Sequence, residues 1–216
     1  MKPILLVLLF SAVVYSCTND KKEKKDSTPP VAEKKIDSTL ITDSAWGLVT
    51  ATTDFDGLKS LYGAANVKDE RICGPECIDS IDVTKIYAET PREIIVYWKD
   101  SAYHKSIGMM ECDGEGSPYH TATGLKTGSS LRDILSLNGK KITFSGFGWD
   151  YGGYIQSYNN GALEKSSVHF RLDLMEDDGT ELLGDTELNT DMPAVQKKLD
   201  KIKVYQLSLS FHKEDN

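Results

Sequence analysis

The sequence predicts an α+β fold, an antiparallel β-sheet with short helices on one face. Three observations carry this. Two eleven-residue stretches, TDFDGLKSLYG at 53–63 and SSLRDILSLNG at 129–139, share a polar start, a helical apolar spacing and a glycine stop. Each is followed by short runs rich in β-branched and aromatic residues. The run at 167–174 alternates strictly, with Val168, Phe170, Leu172 and Leu174 on one side, as a half-buried antiparallel strand requires.

The elements follow in order. Thr53 and Asp56 read as a capping box, in which side chains satisfy the first free N–H groups of a helix. Phe55, Leu58 and Leu61 give its apolar stripe, and Gly63 a left-handed stop. Strands are expected at 80–87, 93–98 and 103–110. In the second copy Ser130 and Asp133 form the box, Leu131, Ile134 and Leu137 the stripe, and Gly139 the stop. Strands at 141–144, 153–157 and 167–174 come next, with Asn159-Asn160-Gly161 as a hairpin-type turn. A short helix at 191–199 carries Pro193 in its first turn, and an alternating strand at 203–211 closes the chain. The helix-then-strands order occurs twice, so a tandem duplication over about 50–123 and 124–211 is a further expectation.

Ahead of the expected globular domain, 41–216, lie two other segments. Residues 1–16, MKPILLVLLFSAVVYS, have a positive start and a short apolar run, the pattern of a secretory signal rather than the ~20 apolar residues of a membrane span. Val14-Tyr15-Ser16-Cys17 resembles the lipobox of bacterial lipoproteins, with Tyr15 departing from the usual small or aliphatic residue. The resemblance implies lipidation of Cys17 and a membrane anchor. Thr18 stands where an aspartate often retains lipoproteins in the inner membrane, so an outer-membrane position facing the periplasm is expected. Residues 17–40 then read as the lipidated cysteine and a flexible tether, rich in Lys, Asp, Ser and Pro with no aromatic residue.

The net charge is −8, and the tether is slightly basic, so the globular part is more acidic still. That balance excludes nucleic acid, which is bound by neutralising phosphates with Lys and Arg. Of the remaining cysteines, Cys73 and Cys77 in ICGPECI are favoured as a disulfide, because Gly74-Pro75 folds a tight loop. Pairing of either with Cys112 is the alternative. The C-x3-C spacing lacks a second Cys/His pair, so no zinc site is expected. Met109-Met110-Glu111-Cys112 with His104 upstream has soft copper ligands, but reads more simply as core filling.

The stretch KITFSGFGWDYGGYI, 141–155, concentrates glycine and aromatics around one aspartate. The glycine spacing breaks G-x-G-x-x-G at Tyr151, and no helix pattern follows Gly153, so a phosphate loop is excluded. Two readings remain. In one, Gly146 and Gly148 relieve crowding at a bend, and Phe144, Phe147 and Trp149 or Tyr151 fill the core. In the other, Trp149, Asp150 and Tyr151 form a platform for a ligand or partner.

Catalytic motifs are missing: there is no G-x-S-x-G and no H-E-x-x-H, and His104, His120, His169 and His212 fall on separate elements. Glu176-Asp177-Asp178-Gly179 fails the EF-hand spacing and reads as an acidic turn. Asp113 and Glu115, or alternatively Asp150, are the carboxylates a hydrolase would use together with a histidine. The expected function is therefore a lipid-anchored envelope binding or protein-interaction module without catalysis, metal or cofactor, whose partner is an envelope protein or a small ligand. A passive structural lipoprotein, or a hydrolase using Asp/Glu and His, is the alternative.

The duplicated helix with its leucine-to-glycine end (Leu61-Tyr62-Gly63 and Leu137-Asn138-Gly139, one residue shorter than Leu-x-x-Gly), followed by a curved antiparallel sheet, resembles the beta-lactamase-inhibitor-protein fold. It also resembles the small lipoproteins of outer-membrane assembly. The resemblance spans 41–211 in outline and implies recognition of other proteins through an exposed sheet face. It assigns no individual binding residue.

Overall fold

Alternation of side chains builds the centre of the molecule. In the computed structural model the described residues are 36–74, 77–174 and 180–211. The expected signal peptide, Cys17 and most of the tether lie outside them, as do the acidic turn at 176–179 and His212. In chain order the elements are β1 (Leu40–Ile41), α1 (Phe55–Tyr62), β2 (Val67–Cys73), β3 (Ser80–Ile86), β4 (Ile94–Trp98) and β5 (Ile107–Asp113). There follow β6 (His120–Thr121), α2 (Leu131–Asn138), β7 (Thr143–Ser145), β8 (Ile155–Ser157) and β9 (Val168–Leu174). The chain closes with β10 (Glu187–Asn189), α3 (Pro193–Gln196) and β11 (Ile202–Ser210). The fold is α+β, as expected.

Six strands form one antiparallel sheet in the order β2-β3-β4-β5-β11-β9. Its register places Thr84, Val96, Met110, Leu209 and Val168 in one row, all buried. Leu58 of α1, Leu131 and Ile134 of α2, and Val195 of α3 join those apolar side chains in a single core, so the helices cover this inner face. A three-stranded sheet, β10-β7-β8, adds Phe144 and Leu188 to the same core, and β1 pairs in parallel with β6. No helix of the described residues is long and apolar enough to cross a membrane.

The two copies of the helix motif differ in detail. In α2 the capping box is complete: the Asp133 N–H donates to Ser130, and the Ser130 N–H donates to Asp133. Gly139 takes the left-handed conformation. In α1 the cap is Asp54 rather than Thr53, accepting from the Gly57 N–H at 2.9 Å, and Thr53 instead accepts from the Thr50 N–H. Gly63 has positive φ but an extended ψ of 132°, outside the left-handed helical region. The third stripe position also departs from expectation: Leu61 is 41% exposed and Leu137 39%. Tyr62 and Asn138, one residue later and seven from the first stripe residue, turn inward as a 3.6-residue period dictates.

The strands after the two helices also pair differently. β2 to β5 form a meander, whereas β7 and β8 join the small sheet and β9 joins the large one. Asn159 and Asn160 have φ of 53° and 57°, but the strands on either side of this turn lie in different sheets, so it is no hairpin. The expected strand 103–110 starts at Ile107. β2 escapes the sequence pattern because Lys68, Asp69, Glu70 and Arg71 interrupt it. Those charges suit its edge position, where they oppose pairing with another chain.

Candidate functional site

Among the described residues no helix lies over the opposite face of the six-stranded sheet. The same alternation that buries Val96 and Met110 turns Tyr97, Met109, Glu111, Gln206 and Arg171 to this side. An open groove of about 630 Å³ lies there, between two walls. One wall is the β2–β3 turn, where Cys73 and Cys77 are joined as a disulfide with Cα atoms 4.8 Å apart, beside Ile72 and Ile81. Backbone bonds from Gly74 N to Asp79 O (2.7 Å) and from Cys77 N to Gly74 O (3.0 Å) close that turn.

The other wall is the glycine-rich connection between β7 and β8. Two glycines let it cross neighbouring chains at backbone distance. A Cβ on Gly146 would stand 2.5 Å from the Gly184 carbonyl oxygen, and one on Gly153 only 1.8 Å from that of Leu172. Leu172 N donates to Gly153 O at 2.8 Å, so the connection adds a partial strand to β9, the edge of the large sheet. Arg171 fixes it from below: Nε donates to Gly152 O at 2.9 Å and an Nη to Asp150 O at 2.7 Å, with the guanidinium 4.6 Å over the Tyr154 ring. The Trp149 indole N–H donates to Gly146 O, and its ring meets Tyr151 edge-on at 5.5 Å.

Both sequence readings of this stretch therefore contribute. The glycines are structural, and Phe144 and Phe147 are buried. Trp149 is half-buried rather than core, whereas Asp150 and Tyr151 are exposed, Tyr151 by 49%. Trp149, Asp150, Tyr151, Cys73 and Cys77 all border one groove, although no sequence signal linked the two stretches.

The floor carries the unusual electrostatics. Tyr97 Oη donates to Glu111 Oε1 at 2.7 Å. Burial pushes the Glu111 carboxyl above the ordinary glutamate range, opposed by the Tyr97 hydrogen bond and Arg171 and reinforced by Asp113. Burial, with Glu111 beside it, also raises the Tyr97 phenol. A second cavity of about 480 Å³ lies behind the same loop, bordered by Trp149, Asp150, Arg171 and Tyr205.

Tyr97, Glu111, Tyr154, Arg171 and Gln206 were not singled out from sequence. One signal existed: Ile-Ile-Val-Tyr-Trp in β4 is apolar on both faces, which in an antiparallel sheet marks an outer face that is not simply solvated. The other candidates go elsewhere. Met110 and Cys112 face the core while Met109 and Glu111 face the groove, so they do not converge as copper ligands. Cys112 is a free, buried thiol that accepts from Ser117, with its pKa pushed up to about 12 by burial. Asp113 accepts from the Tyr205 hydroxyl at 3.3 Å, and Glu115 borders a separate small cavity. His104 stacks on Trp98 at 4.8 Å, His120 lies 3.4 Å from Asp37, and His169 is exposed on β9. Among the described residues no group of three or more His, Cys, Asp and Glu is arranged to hold a metal.

No protein-family model matches the chain, and no curated protein matches it in sequence. Among solved structures, that of the uncharacterized protein yfeY from Escherichia coli is similar at a TM-score of 0.44 and 10% identity, over 80% of this chain and 99% of that one. At that level the likeness carries no functional statement.

Proposed function

We propose that the chain is a lipid-anchored envelope module that binds a partner or ligand in the groove on the helix-free face of its large sheet. The observation that carries this is a preformed trough in which aromatic rings and a few polar groups converge, held open by a disulfide-closed turn and an arginine-pinned loop. Concave, largely apolar sites with a few placed polar groups are the usual form of a binding site. The anchor belongs to the same reading: Cys17 would tie the domain to the outer membrane through the tether, facing the periplasm. Catalysis is not part of the proposal. None of the described histidines borders the groove, so Glu111 has no histidine partner there.

The test has two parts. The full chain, purified in detergent and bearing a photo-cross-linker at Tyr151, is expected to capture one envelope component, and Asp150→Ala is expected to reduce that capture. Capture that is unselective, or unchanged by Asp150→Ala in a folded protein, counts against the site. For the anchor, metabolic labelling with a fatty acid is expected to mark the wild-type chain and not Cys17→Ala; equal labelling of both would remove it.

A further inference from the structure

Resting on that groove, we infer that its ligand is a neutral, hydroxyl-rich glycan chain rather than a polyanion or a basic peptide. Three observations point the same way. First, the exposed wall is aromatic and flat: Tyr151 and Tyr154 present 49% and 43% of their surface, and Trp149 supports Tyr151 edge-on. Such rings offer an apolar face for the C–H side of a sugar and a polar tip for its hydroxyls. Second, the polar groups bordering the groove include planar carboxyl and amide groups: Asp150 and Gln206 can each meet a pair of adjacent hydroxyls, and Glu111, with Oε1 taken by Tyr97, keeps Oε2 for one more. Tyr97, Glu111, Gln206 and Arg171 sit on four consecutive strands, β4, β5, β11 and β9. Gln206 stands directly opposite Arg171, whereas Glu111 is offset by two residues from both Tyr97 and Gln206, so the polar groups run diagonally across the floor, with the offset neighbours about 7–8 Å apart.

Third, the charge pattern excludes the alternatives. The groove's one arginine spends its Nε and an Nη on the Gly152 and Asp150 carbonyls and stacks on Tyr154, so it serves the wall rather than an incoming phosphate or sulfate. Asp150 and Glu111 repel such groups. A basic peptide would want paired carboxylates, yet Glu111 is already engaged by Tyr97, and burial opposes its charge. Asp150 alone remains as an exposed carboxylate on the wall.

The deciding experiment titrates the full chain in detergent with neutral tetrasaccharides (tetra-N-acetylchitotetraose, cellotetraose and maltotetraose), a sulfated tetrasaccharide and tetralysine, reading ligand NMR saturation transfer. Saturable binding of at least one neutral tetrasaccharide is expected, weakened about tenfold or more in Tyr151→Ala, with a smaller loss in Asp150→Asn. Far-UV circular dichroism and the thermal midpoint should match wild type in both variants, since both side chains are exposed. Preference for the sulfated sugar or tetralysine, or no saturable binding of any neutral tetrasaccharide, overturns the glycan assignment. The cross-linking test at Tyr151 judges the groove separately. Capture lost in Asp150→Ala without sugar binding leaves the groove standing and the glycan wrong, whereas failure of both removes the site itself.

Discussion

The two faces of the six-stranded sheet are made by the same strands and separated by one residue of register, yet they are different surfaces. On the inner face Thr84, Val96, Met110, Leu209 and Val168 run across five strands, completely covered. On the outer face the neighbouring row is Lys85, Ile95, Glu111, Ser208 and His169, none of them fully buried. Composition alone does not account for this, because Tyr97, Met109 and Ile95 would suit a core. What differs, among the described residues, is the layer above: three helices on one side, the glycine-rich loop and the β2–β3 turn on the other. An antiparallel sheet tolerates one wet face, and it is the aromatics and half-buried carboxyl on this one that the proposed binding rests on.

The loop is the sharpest place to break this contrast. Gly153 has φ +76°, and any Cβ there would collide with Leu172 at 1.8 Å. Gly153→Ala is expected to lose more than about 4 kcal/mol in urea unfolding, or to detach the wall and abolish binding, because the obstacle is backbone. Gly148→Ala is the control. It carries similar strain at φ +81° but meets only Leu183 Cδ2 at 3.5 Å, so it should cost about 1–2 kcal/mol. Equal costs at the two positions would mean that the loop does not clamp the sheet edge. Next in size are the methionines. Met110→Ala opens the covered face and should cost about 2–5 kcal/mol. Met109→Ala, one residue away and half-buried in the groove, should cost about 1 kcal/mol or less. If both fall by the same amount, the outer face is packed like a core and the groove is closed in solution.

Legibility in the sequence divides along the same line. The inner face could be read because it repeats: Val168, Phe170 and Leu172, or Leu131 and Ile134, announce period two and period 3.6. The α2 cap was legible too, since Ser130 and Asp133 interact within one turn. In α1 the same local rule selected Thr53, but Asp54 won the cap and Thr53 closed the preceding turn instead. Asn138 shows how non-local contacts escape. Its side chain donates to Lys140 and Tyr158 carbonyls and accepts from Leu163 N–H, 25 residues on, which no helix pattern announces. The groove is of this second kind. Trp149, Asp150 and Tyr151, and separately Cys73 and Cys77, were visible as local anomalies. Their convergence depends on Arg171 and on the strand order β5-β11-β9, which is set by packing across the chain.

The smallest expected effect is the most specific to the open face. In the folded protein burial holds the Glu111 proton at pH values where an unfolded chain has already released it. Over that window the native state binds more protons than the unfolded state, so this carboxyl makes stability fall as pH rises. The window opens near the ordinary glutamate value of about 4.3 and ends at the raised folded value, above which the loss is complete and constant. Asp37, Asp54, Asp82, Asp133 and Asp200 act in the opposite sense: hydrogen bonds hold their carboxyls low, and their stabilisation is lost as pH falls. Those groups are common to wild type and Glu111→Gln, so they cancel in the difference between the two. Urea unfolding from pH 3 to pH 8 should therefore show wild type declining relative to Glu111→Gln across the window and then running parallel to it. A difference that stays flat, or that grows in favour of wild type with pH, would mean that Glu111 is as well solvated as any surface carboxylate. The floor of the groove would then be open to bulk water, and the polar groups ranged across it would have no sheltered site in which to hold a ligand.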